Sequence, residues 1–320
     1  MKQIRVNGKK DGRNILIPCA NLVMGAGDFL RADNMDVAAQ ILDRYFECGG
    51  NIFDTARHYR HSENAIGIWM EERKNRDRVI IQTKGCHPVR GALDVPRVTP
   101  AAIHEDISTS LEMLRTDHVE LFALHRDDET VPVGPLMEAL HKEVEDGRVY
   151  AIGVSNWELA RIIEANEYAQ THGLTPLSFN SPNLSLPKVN RPRWEDCVSA
   201  DDTMIKWHEQ TDLPLFSWSS QAGGFFSGRF TRDNLEDTEM VEVYYSEKNW
   251  ERYSRAEKLA QEKGVTPIQI SLAYVLHQSF PTAAVIGPET TSELNSSIEA
   301  ADIHLTQLEV DWLDLRRDNR

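Results

Sequence analysis

The chain has 320 residues, 41% of them hydrophobic, and a formal net charge of −15 at pH 7. This composition supplies enough apolar material for a large core, and the acidic balance argues against nucleic acid and anionic membranes as partners. No apolar stretch approaches the roughly 20 residues of a membrane-spanning helix, so we expect a soluble protein.

The beginning of the chain predicts a β-hairpin. Residues 4–6 and 14–17 contain β-branched residues, and the glycine-containing segment 8–12 lies between them, as a turn between two strands would. We expect this hairpin to cover the bottom of a barrel.

The N-terminus and the cysteines predict a cytoplasmic protein. The first eight residues are too polar for a signal peptide. The cysteines show no Cys-x-x-Cys spacing, which favours reduced thiols in a reducing compartment. They are Cys19, Cys48, Cys86 and Cys197.

After the hairpin, short apolar runs alternate with segments of helical periodicity. The pair Thr99-Pro100 is typical of a helix start, and residues 266–269 predict a capping box. Residues 138–145 predict a helix that ends at Gly147. Strands are predicted at eight apolar runs, namely residues 22–24, 51–53, 79–82, 119–124, 151–154, 177–179, 215–218 and 284–286.

Eight strand–helix units predict a (β/α)8 TIM barrel of the α/β class, with parallel strands inside and helices outside. The continuous apolar runs suit strands that are buried on both faces. We expect one domain over residues 1–320, because no Pro-, Gly- or Ser-rich linker divides the chain. An open doubly wound sheet is the alternative architecture.

Four polar side chains lie at the ends of three predicted strands. Asp54 comes directly after the second strand, Lys84 ends the third and His125 follows the fourth, while Tyr59 lies five residues beyond Asp54. Catalytic residues of such barrels gather at the C-terminal ends of the strands. Buried apolar strands alone give no reason for polar residues to cluster there, so we predict an active site.

These residue types suit proton donation to a carbonyl group. A phenol has a pKa of about 10 in water, and a nearby lysine ammonium is expected to lower that pKa. Asp54 could hold Lys84 charged, His125 could orient a substrate oxygen, and Tyr59 could protonate the alkoxide. No side chain supplies a hydride, so a redox cofactor is required.

Several motifs resemble the aldo-keto reductase superfamily in their order and spacing. The resemblance implies a (β/α)8 barrel, a nicotinamide cofactor extended across its top, and carbonyl reduction by the four residues above, with Tyr59 as the proton donor. It extends from Met24 to about Leu313. The motifs are Phe53-Asp-Thr-Ala-x-x-Tyr59-x-x-Ser-Glu63, Thr83-Lys84, Leu124-His125-Arg126 and Ile152-Gly-Val-Ser-Asn156.

The resemblance also implies contacts with the cofactor. Ser155 and Asn156 match the pair that bonds the nicotinamide carboxamide, and Ser181 stands where the family usually has a glutamine. Residues 215–229 resemble the strand and loop that stack on nicotinamide, where Trp218 takes the aromatic position, and then wrap the pyrophosphate. The residues expected at the phosphates are Ser219, Gln221, Gly223 and Arg229.

The segment after the eighth strand leaves the choice of cofactor open. The family commonly has Lys or Arg there to bind the 2′-phosphate of NADP(H), whereas this chain has Gly287, Glu289 and Glu293, followed by Ser297. A carboxylate repels a phosphate but accepts a hydrogen bond from a ribose 2′-hydroxyl. The cofactor is therefore NADP(H) or NAD(H), and we hypothesise that NAD(H) is used at least as well.

Polar residues around Tyr59 form a rim. His58, His61 and Glu63 lie close in sequence, but the His-x-x-His spacing does not place both rings firmly on one helix face, so we expect no metal site. With Arg57 and Arg60, the two histidines instead predict a partly cationic rim that suits a hydroxylated or acidic substrate.

The leading interpretation is a cytoplasmic aldo/keto reductase that acts on a small carbonyl compound or sugar, with a place in carbohydrate metabolism. One alternative is an NAD-dependent sugar or polyol dehydrogenase that works mainly in oxidation. Another is a non-catalytic, cofactor-binding regulatory subunit. The intact tetrad of Asp54, Tyr59, Lys84 and His125 argues against it, as does the lack of an added N-terminal segment. Substrate choice depends on loops whose shape the sequence leaves open, as it does the oligomeric state.

Overall fold

The computed structural model describes residues 1–26, 30–59, 61–89, 91–93 and 95–320. Its sheets are one antiparallel hairpin and one closed barrel of parallel strands. None of the helices in these ranges combines the length and the apolar character needed to cross a membrane.

The hairpin consists of β1 (Gln3–Lys10) and β2 (Arg13–Ala20), which pair along their whole length. Asp11 and Gly12 form a two-residue turn with φ angles of 50° and 72°, the backbone that tight hairpin turns require. The predicted hairpin is confirmed. Its turn is shorter than the predicted 8–12, because Gly8 pairs with Ile15 inside the ladder.

Eight parallel strands close into the predicted barrel. Consecutive strands pair in register, and the last strand pairs with the first, which confirms the (β/α)8 barrel and excludes the open sheet. The strands are β3 (Leu22–Gly25), β4 (Ile52–Asp54), β5 (Ile80–Gly85), β6 (Val119–Leu124), β7 (Val149–Ser155), β8 (Phe179–Ser181), β9 (Leu215–Ser217) and β10 (Thr282–Ile286).

Helices surround the barrel, and two of them begin at the predicted start signals, whereas the helix predicted over 138–145 begins earlier, at Val133. Thr99 Oγ1 accepts the Ala102 N–H at 3.2 Å, and Gln269 Oε1 accepts the Thr266 N–H at 3.0 Å. The helices are α1 (Met35–Glu47), α2 (Ser62–Arg73), α3 (Pro100–Leu114), α4 (Val133–Glu145), α5 (Leu159–His172), α6 (Asp202–Thr211), α7 (Thr238–Tyr244), α8 (Glu247–Lys263), α9 (Pro267–Leu276), α10 (Thr291–Ala300) and α11 (Gln307–Leu313).

The hairpin covers the N-terminal end of the barrel, as predicted. Val6 and Ile17 pack with the barrel residues Ile80 and Leu121 in one buried cluster. The Ala20 N–H also donates to Asn51 Oδ1 at 2.8 Å, just before β4. Because this end is closed, the opposite end, where the parallel strands finish, is the one left for a site.

Candidate active site

Four polar side chains meet at the end of the barrel opposite the hairpin. Asp54 is the last residue of β4, Lys84 lies in β5, and His125 directly follows β6. Tyr59 lies in the loop between β4 and α2. The sequence reasoning predicted this juxtaposition because parallel strands of one barrel all end at the same rim.

Two side-chain hydrogen bonds hold the loop that carries Tyr59. Thr55 and Ser62, near its two ends, bond to each other through their hydroxyl groups at 2.8 Å. Glu63, in the first turn of α2, is buried and accepts a hydrogen bond from Thr83 Oγ1 at 2.6 Å. These contacts tie the loop to β5, the strand that carries the lysine of the site.

Lys84 and Asp54 form a buried ion pair beneath the phenol. The Lys84 Nζ donates to Asp54 Oδ1 at 2.5 Å and to Thr55 O at 3.1 Å, and it lies 5.6 Å from the centroid of the Tyr59 ring. Burial works to lower the pKa of Lys84, but the charges of Asp54 and Tyr59 outweigh it, and the pKa lies above its ordinary value. The ammonium therefore stays charged next to the phenol.

The phenol of Tyr59 does not behave as the sequence alone suggests. Burial raises its pKa, and the Lys84 ammonium, which acts in the predicted downward direction, offsets this only in part. Asp54 adds to the upward shift. The net effect is a phenol that keeps its proton through the neutral pH range, contrary to the expected lowering.

His125 lies beside the Tyr59 ring as a buried, neutral imidazole. Its ring lies 5.6 Å from that of Tyr59, with an angle of 81° between the planes. Burial, followed by the charges of Lys84 and Arg126, holds its pKa well below the ordinary value, so the imidazole is neutral. Its Nδ1 is buried and has no hydrogen-bond partner among the described residues.

Ser155, Asn156 and Ser181 are buried side by side at the ends of β7 and β8. Ser155 Oγ donates to Ser181 O at 2.7 Å. Asn156 Nδ2 donates to Ser155 Oγ at 3.1 Å and to His125 O at 3.2 Å, and Asn156 Oδ1 accepts the Val198 N–H at 3.2 Å. One acceptor position on each of Ser155 and Asn156 remains, which suits the NH₂ group of a carboxamide.

Ser181 directs its own hydroxyl into the barrel. The Ser181 Oγ donates to Phe216 O at 2.8 Å. The neighbouring Asn180 points the other way and lies 3.3 Å from His208 Nε2. The carbonyl of Ser181 thus orients Ser155, while its hydroxyl is already bonded within the barrel.

Two tryptophan rings lie next to each other. Trp218 comes directly after β9, and Trp194 comes from the long connection between β8 and α6. Trp218 follows β9, is half-buried, and carries an Nε1 that finds no partner in the described part of the chain. The Trp194 ring lies 5.7 Å away at an angle of 38° and is half exposed. Trp218 thus lies directly after β9 with Trp194 beside it, and its stacking on nicotinamide stays a prediction.

The loop after Trp218 turns sharply around two glycines. Ser219, Gly223 and Gly224 have φ angles of 48°, 61° and 82°, and Gln221 lies half-buried among them. Backbone that alternates between right- and left-handed conformations can direct N–H groups at an anion. Arg229 closes the loop by donating from Nη2 to Gly223 O at 3.1 Å.

A second guanidinium at this loop was missed by the sequence reasoning. A methyl group built on Gly223 would lie 3.2 Å from Arg193 Nη1 and 3.4 Å from Nη2. Arg193 comes from the connection between β8 and α6, far from the loop in sequence. The basic run at residues 191–193, directly before a tryptophan, was the only signal for it.

The residues after β10 surround the start of α10. Gly287 and Glu289 are exposed, and the Glu289 N–H donates to Glu293 Oε2 at 2.8 Å. The Glu293 N–H in turn donates to Thr290 Oγ1, the N-cap of the helix, at 3.2 Å. Ser297, one turn further, is buried. Both glutamates therefore lie at the start of α10, the segment for which the sequence predicted contact with the adenosine ribose.

Three imidazoles line the rim beside Tyr59. His58 and His87 stack with their ring centroids 3.7 Å apart, and His87 lies 4.9 Å from His125. His87 was not predicted. Arg60, expected at this rim, lies outside the described residues. Within the described ranges, no group of three or more His, Cys, Asp or Glu side chains is arranged to hold a metal ion.

The site fits a nicotinamide cofactor on three observations. His125 Nδ1 and Trp218 Nε1 are polar atoms that are buried without a partner in the described ranges. Gly223 leaves a concave backbone next to Arg193 and Arg229, which a side chain at this position would fill. Together these features provide donors and a cationic recess beside the tetrad.

Comparisons with known proteins agree with this geometry. The sequence model of the Aldo/keto reductase family matches residues 21–315. Norsolorinic acid reductase stcV of Emericella nidulans is 29% identical over 86% of this chain and 70% of its own length. Putative aryl-alcohol dehydrogenase AAD14 of Saccharomyces cerevisiae is 28% identical, with 89% and 78% covered. Aryl-alcohol dehydrogenase [NADP(+)] of Phanerodontia chrysosporium is 28% identical, with 87% and 75% covered.

Proposed function

The chain belongs to the aldo/keto reductase family, and we propose that it reduces an aldehyde or ketone to an alcohol with Tyr59 as the proton donor. One observation carries the proposal. The Lys84–Asp54 ion pair lies beneath the Tyr59 ring, and the neutral His125 lies beside it, at the rim where substrate would enter.

A bound nicotinamide supplies the hydride, because no side chain can. Ser155, Asn156 and Trp218 would hold its nicotinamide end, and the loop with Gly223 and Arg229 would hold its phosphates. These assignments rest on the free acceptor positions of the first pair and on the recess around Gly223.

The chain's own residues would then manage one proton. His125, neutral at physiological pH, would donate its N–H to the carbonyl oxygen and orient it. Tyr59 would give its phenolic proton to that oxygen as negative charge develops. Lys84 would stabilise the phenolate that results, and Asp54 keeps the ammonium charged and in place.

The pKa of Tyr59 favours reduction as the easier direction at neutral pH. Burial keeps the phenol protonated, which is the form that donates. Oxidation of an alcohol needs the phenolate as base, so an oxidative dehydrogenase would be expected to work best at alkaline pH. Direction in the cell would also depend on the ratio of the oxidised to the reduced cofactor.

Aromatic carbonyl compounds are the substrate class that we propose first. Two of the relatives above are named as aryl-alcohol dehydrogenases. The rim of this chain offers the flat rings of His58, His87 and Trp194, on which an aromatic substrate could stack. Sugars and polyols are the second class, because the same rim is polar.

Turnover with a defined panel tests the proposal. Purified protein would be given NADPH or NADH with aromatic aldehydes, aliphatic ketones and aldoses, and the loss of reduced cofactor would be followed by absorbance. We expect reduction of at least one aromatic aldehyde. Binding of cofactor without turnover of any compound, in either direction, would instead favour a regulatory role, and failure to bind either cofactor would refute the proposal.

A further inference from the structure

We infer that Arg193, which lies in the connection between β8 and α6, binds the cofactor's diphosphate together with Arg229. This inference rests on the proposed function, because it requires a nicotinamide dinucleotide in the site. It adds a binding residue that lies outside the loop after β9, to which the phosphate contacts were assigned from the sequence.

The guanidinium of Arg193 lies against the glycine turn that follows β9. Arg193 Nη1 and Nη2 lie 3.2 and 3.4 Å from where a Cβ atom of Gly223 would be. At the same turn, Arg229 Nη2 donates to Gly223 O at 3.1 Å and lies 2.6 Å from a Cβ built on Gly224. Two guanidinium groups therefore converge on one exposed, glycine-lined turn.

The side chain of Arg193 is held by one hydrogen bond, which leaves its two Nη groups available. The Nε of Arg193 donates to Glu239 Oε1 on α7 at 3.0 Å, which fixes the direction of the side chain. Neither Nη atom donates to another atom in the described part of the chain, although the side chain is only 19% exposed. Neither Nη atom is fully removed from water, so these donors stay available to a ligand, and a diphosphate would accept several of them at once.

The charge of the glycine turn and the rings next to it also favour an anionic ligand. Glu239 balances one positive charge, and Arg229 has no carboxylate partner within the described ranges, so the turn has a net positive charge on a chain of net charge −15. The guanidinium of Arg193 also lies 4.8 Å from the Trp194 ring, which packs beside Trp218. Residues 193–194 thus extend from the aromatic nicotinamide position to the phosphate turn.

The chain contains a matched control for this residue. Arg191, two residues earlier, donates to Glu242 Oε2 at 2.6 Å, also on α7. Both arginines therefore make an ion pair between the same connection and the same helix. Only Arg193 reaches the glycine turn. A purely structural role for such pairs predicts equal effects when either arginine is replaced.

The test is the dissociation constant of the full-length protein for NADPH and for NADH, measured by quenching of protein fluorescence. We expect Arg193→Gln to raise Kd by about tenfold to a hundredfold, the range for hydrogen bonds to charged groups, and by a similar factor for both cofactors, since both carry the diphosphate. Arg191→Gln should change Kd by less than about twofold. Thermal unfolding of the two variants should be alike.

Three results would overturn the inference. They are an unchanged Kd for Arg193→Gln, an equal loss in Arg191→Gln, or a loss confined to NADPH, which would assign Arg193 to the 2′-phosphate. If Arg193→Gln does not fold, Arg193→Lys keeps the positive charge and loses the planar fork, and it should still weaken both cofactors. Wild-type protein that binds neither cofactor would contradict the proposed function itself.

Discussion

Two opposing electrostatic effects decide the proton affinity of Tyr59. The Lys84 ammonium, 5.6 Å from the ring centroid, favours the phenolate. Burial of the ring in the barrel mouth favours the neutral phenol and is the stronger effect. The ion pair with Asp54 also weakens the influence of Lys84, because a nearby carboxylate cancels part of its field. The phenol therefore keeps its proton at neutral pH, which is the form that the proposed proton donation requires.

Replacement of Tyr59 by Phe tests its role directly. We expect Tyr59→Phe to lower kcat for carbonyl reduction by about a hundredfold or more, the scale of general acid catalysis, and to leave cofactor Kd nearly unchanged. Steady-state kinetics and cofactor titration would measure both quantities. Tyr168→Phe, which removes a phenol that donates to Glu138 at 2.7 Å on the outer surface, is the control. Full activity in Tyr59→Phe would remove the residue from its proposed role.

The raised pKa of Tyr59 predicts different pH profiles for the two directions. Reduction uses the phenol, so its rate should be nearly flat from neutral to mildly alkaline pH. Oxidation uses the phenolate, whose fraction rises about tenfold per pH unit below the pKa, so its rate should keep increasing into the alkaline range. An oxidation rate that levels off near pH 7 would show that the pKa is lowered instead.

Lys84→Met should displace the oxidation profile to still higher pH. Removal of the ammonium takes away the group that lowers the pKa of Tyr59, while the burial that raises it remains. The variant should also reduce carbonyl compounds more slowly, because the developing phenolate loses its stabilising charge. Lys10→Met is a matched control, since it removes another lysine that lies 5.1 Å from a tyrosine ring, that of Tyr150, at the hairpin end of the barrel. Identical oxidation profiles for Lys84→Met and wild type would contradict this account.

The four residues of the tetrad could be located from the sequence because strand order alone brings them together. Asp54, Lys84 and His125 end or follow strands of one parallel barrel, and such strands share a rim. The direction of the Tyr59 pKa could not be obtained in this way, because it depends on how much water the folded loop excludes. The approach of Arg193 to Gly223 likewise depends on the path of an irregular connection.

The first turn of α10 contains a helix cap and the glutamates that we hypothesise to influence cofactor choice. Thr290 caps the helix by accepting the Glu293 N–H, and Glu293 accepts the Glu289 N–H at 2.8 Å. The Glu293 carboxylate is therefore held at the helix start, where the dipole favours negative charge. Part of the anion-binding capacity of this helix end is thus already used by the chain's own side chains.

Glu293→Gln should increase the preference for NADPH. The amide oxygen can still accept the Glu289 N–H, so the helix start is kept, while one negative charge near the expected 2′-phosphate is removed. We expect the ratio of kcat/KM for NADPH to that for NADH to rise about fivefold, equivalent to about 1 kcal/mol at a solvated site. Glu299→Gln, at the other end of α10, should leave the ratio unchanged. A wild-type preference for NADPH above about a hundredfold would sink the NAD(H) hypothesis.

Secondary-structure elements were predicted best where local chemistry defines their ends. The helix starts at Thr99 and at residues 266–269 carry their capping partners in the sequence. β8 lies at Phe179–Ser181 rather than at the predicted 177–179, because the Leu177 N–H donates to Asn166 Oδ1 at 2.9 Å instead of to a neighbouring strand. Such a tertiary hydrogen bond leaves no local signal in the sequence.

The barrel as a whole is also stabilised by contacts that no sequence motif predicts. Asp314 is buried just after α11 and binds three cations, two of which come from distant parts of the chain. Its partners are Lys188 Nζ at 3.2 Å, Arg252 Nη2 at 3.5 Å and Arg316 Nε at 3.1 Å. Lys188 also donates to Tyr274 OH at 3.2 Å. The network joins the connection after β8, α8 and the C-terminal segment, so it links the loops above the barrel to its outer layer.

Asp314→Asn should destabilise the whole molecule. The substitution leaves Arg252, Lys188 and Arg316 without their shared carboxylate. Breaking a buried ion pair from one side typically costs about 3 kcal/mol. We expect a lower urea midpoint with an unchanged slope, because the surface exposed on unfolding stays the same. Asp318→Asn, four residues further on at an exposed position, controls for the loss of one negative charge near the C-terminus. Equal urea midpoints for the two variants would show that the network contributes nothing to stability. A lower midpoint confined to Asp314→Asn would show that this carboxylate holds the C-terminal segment to the barrel.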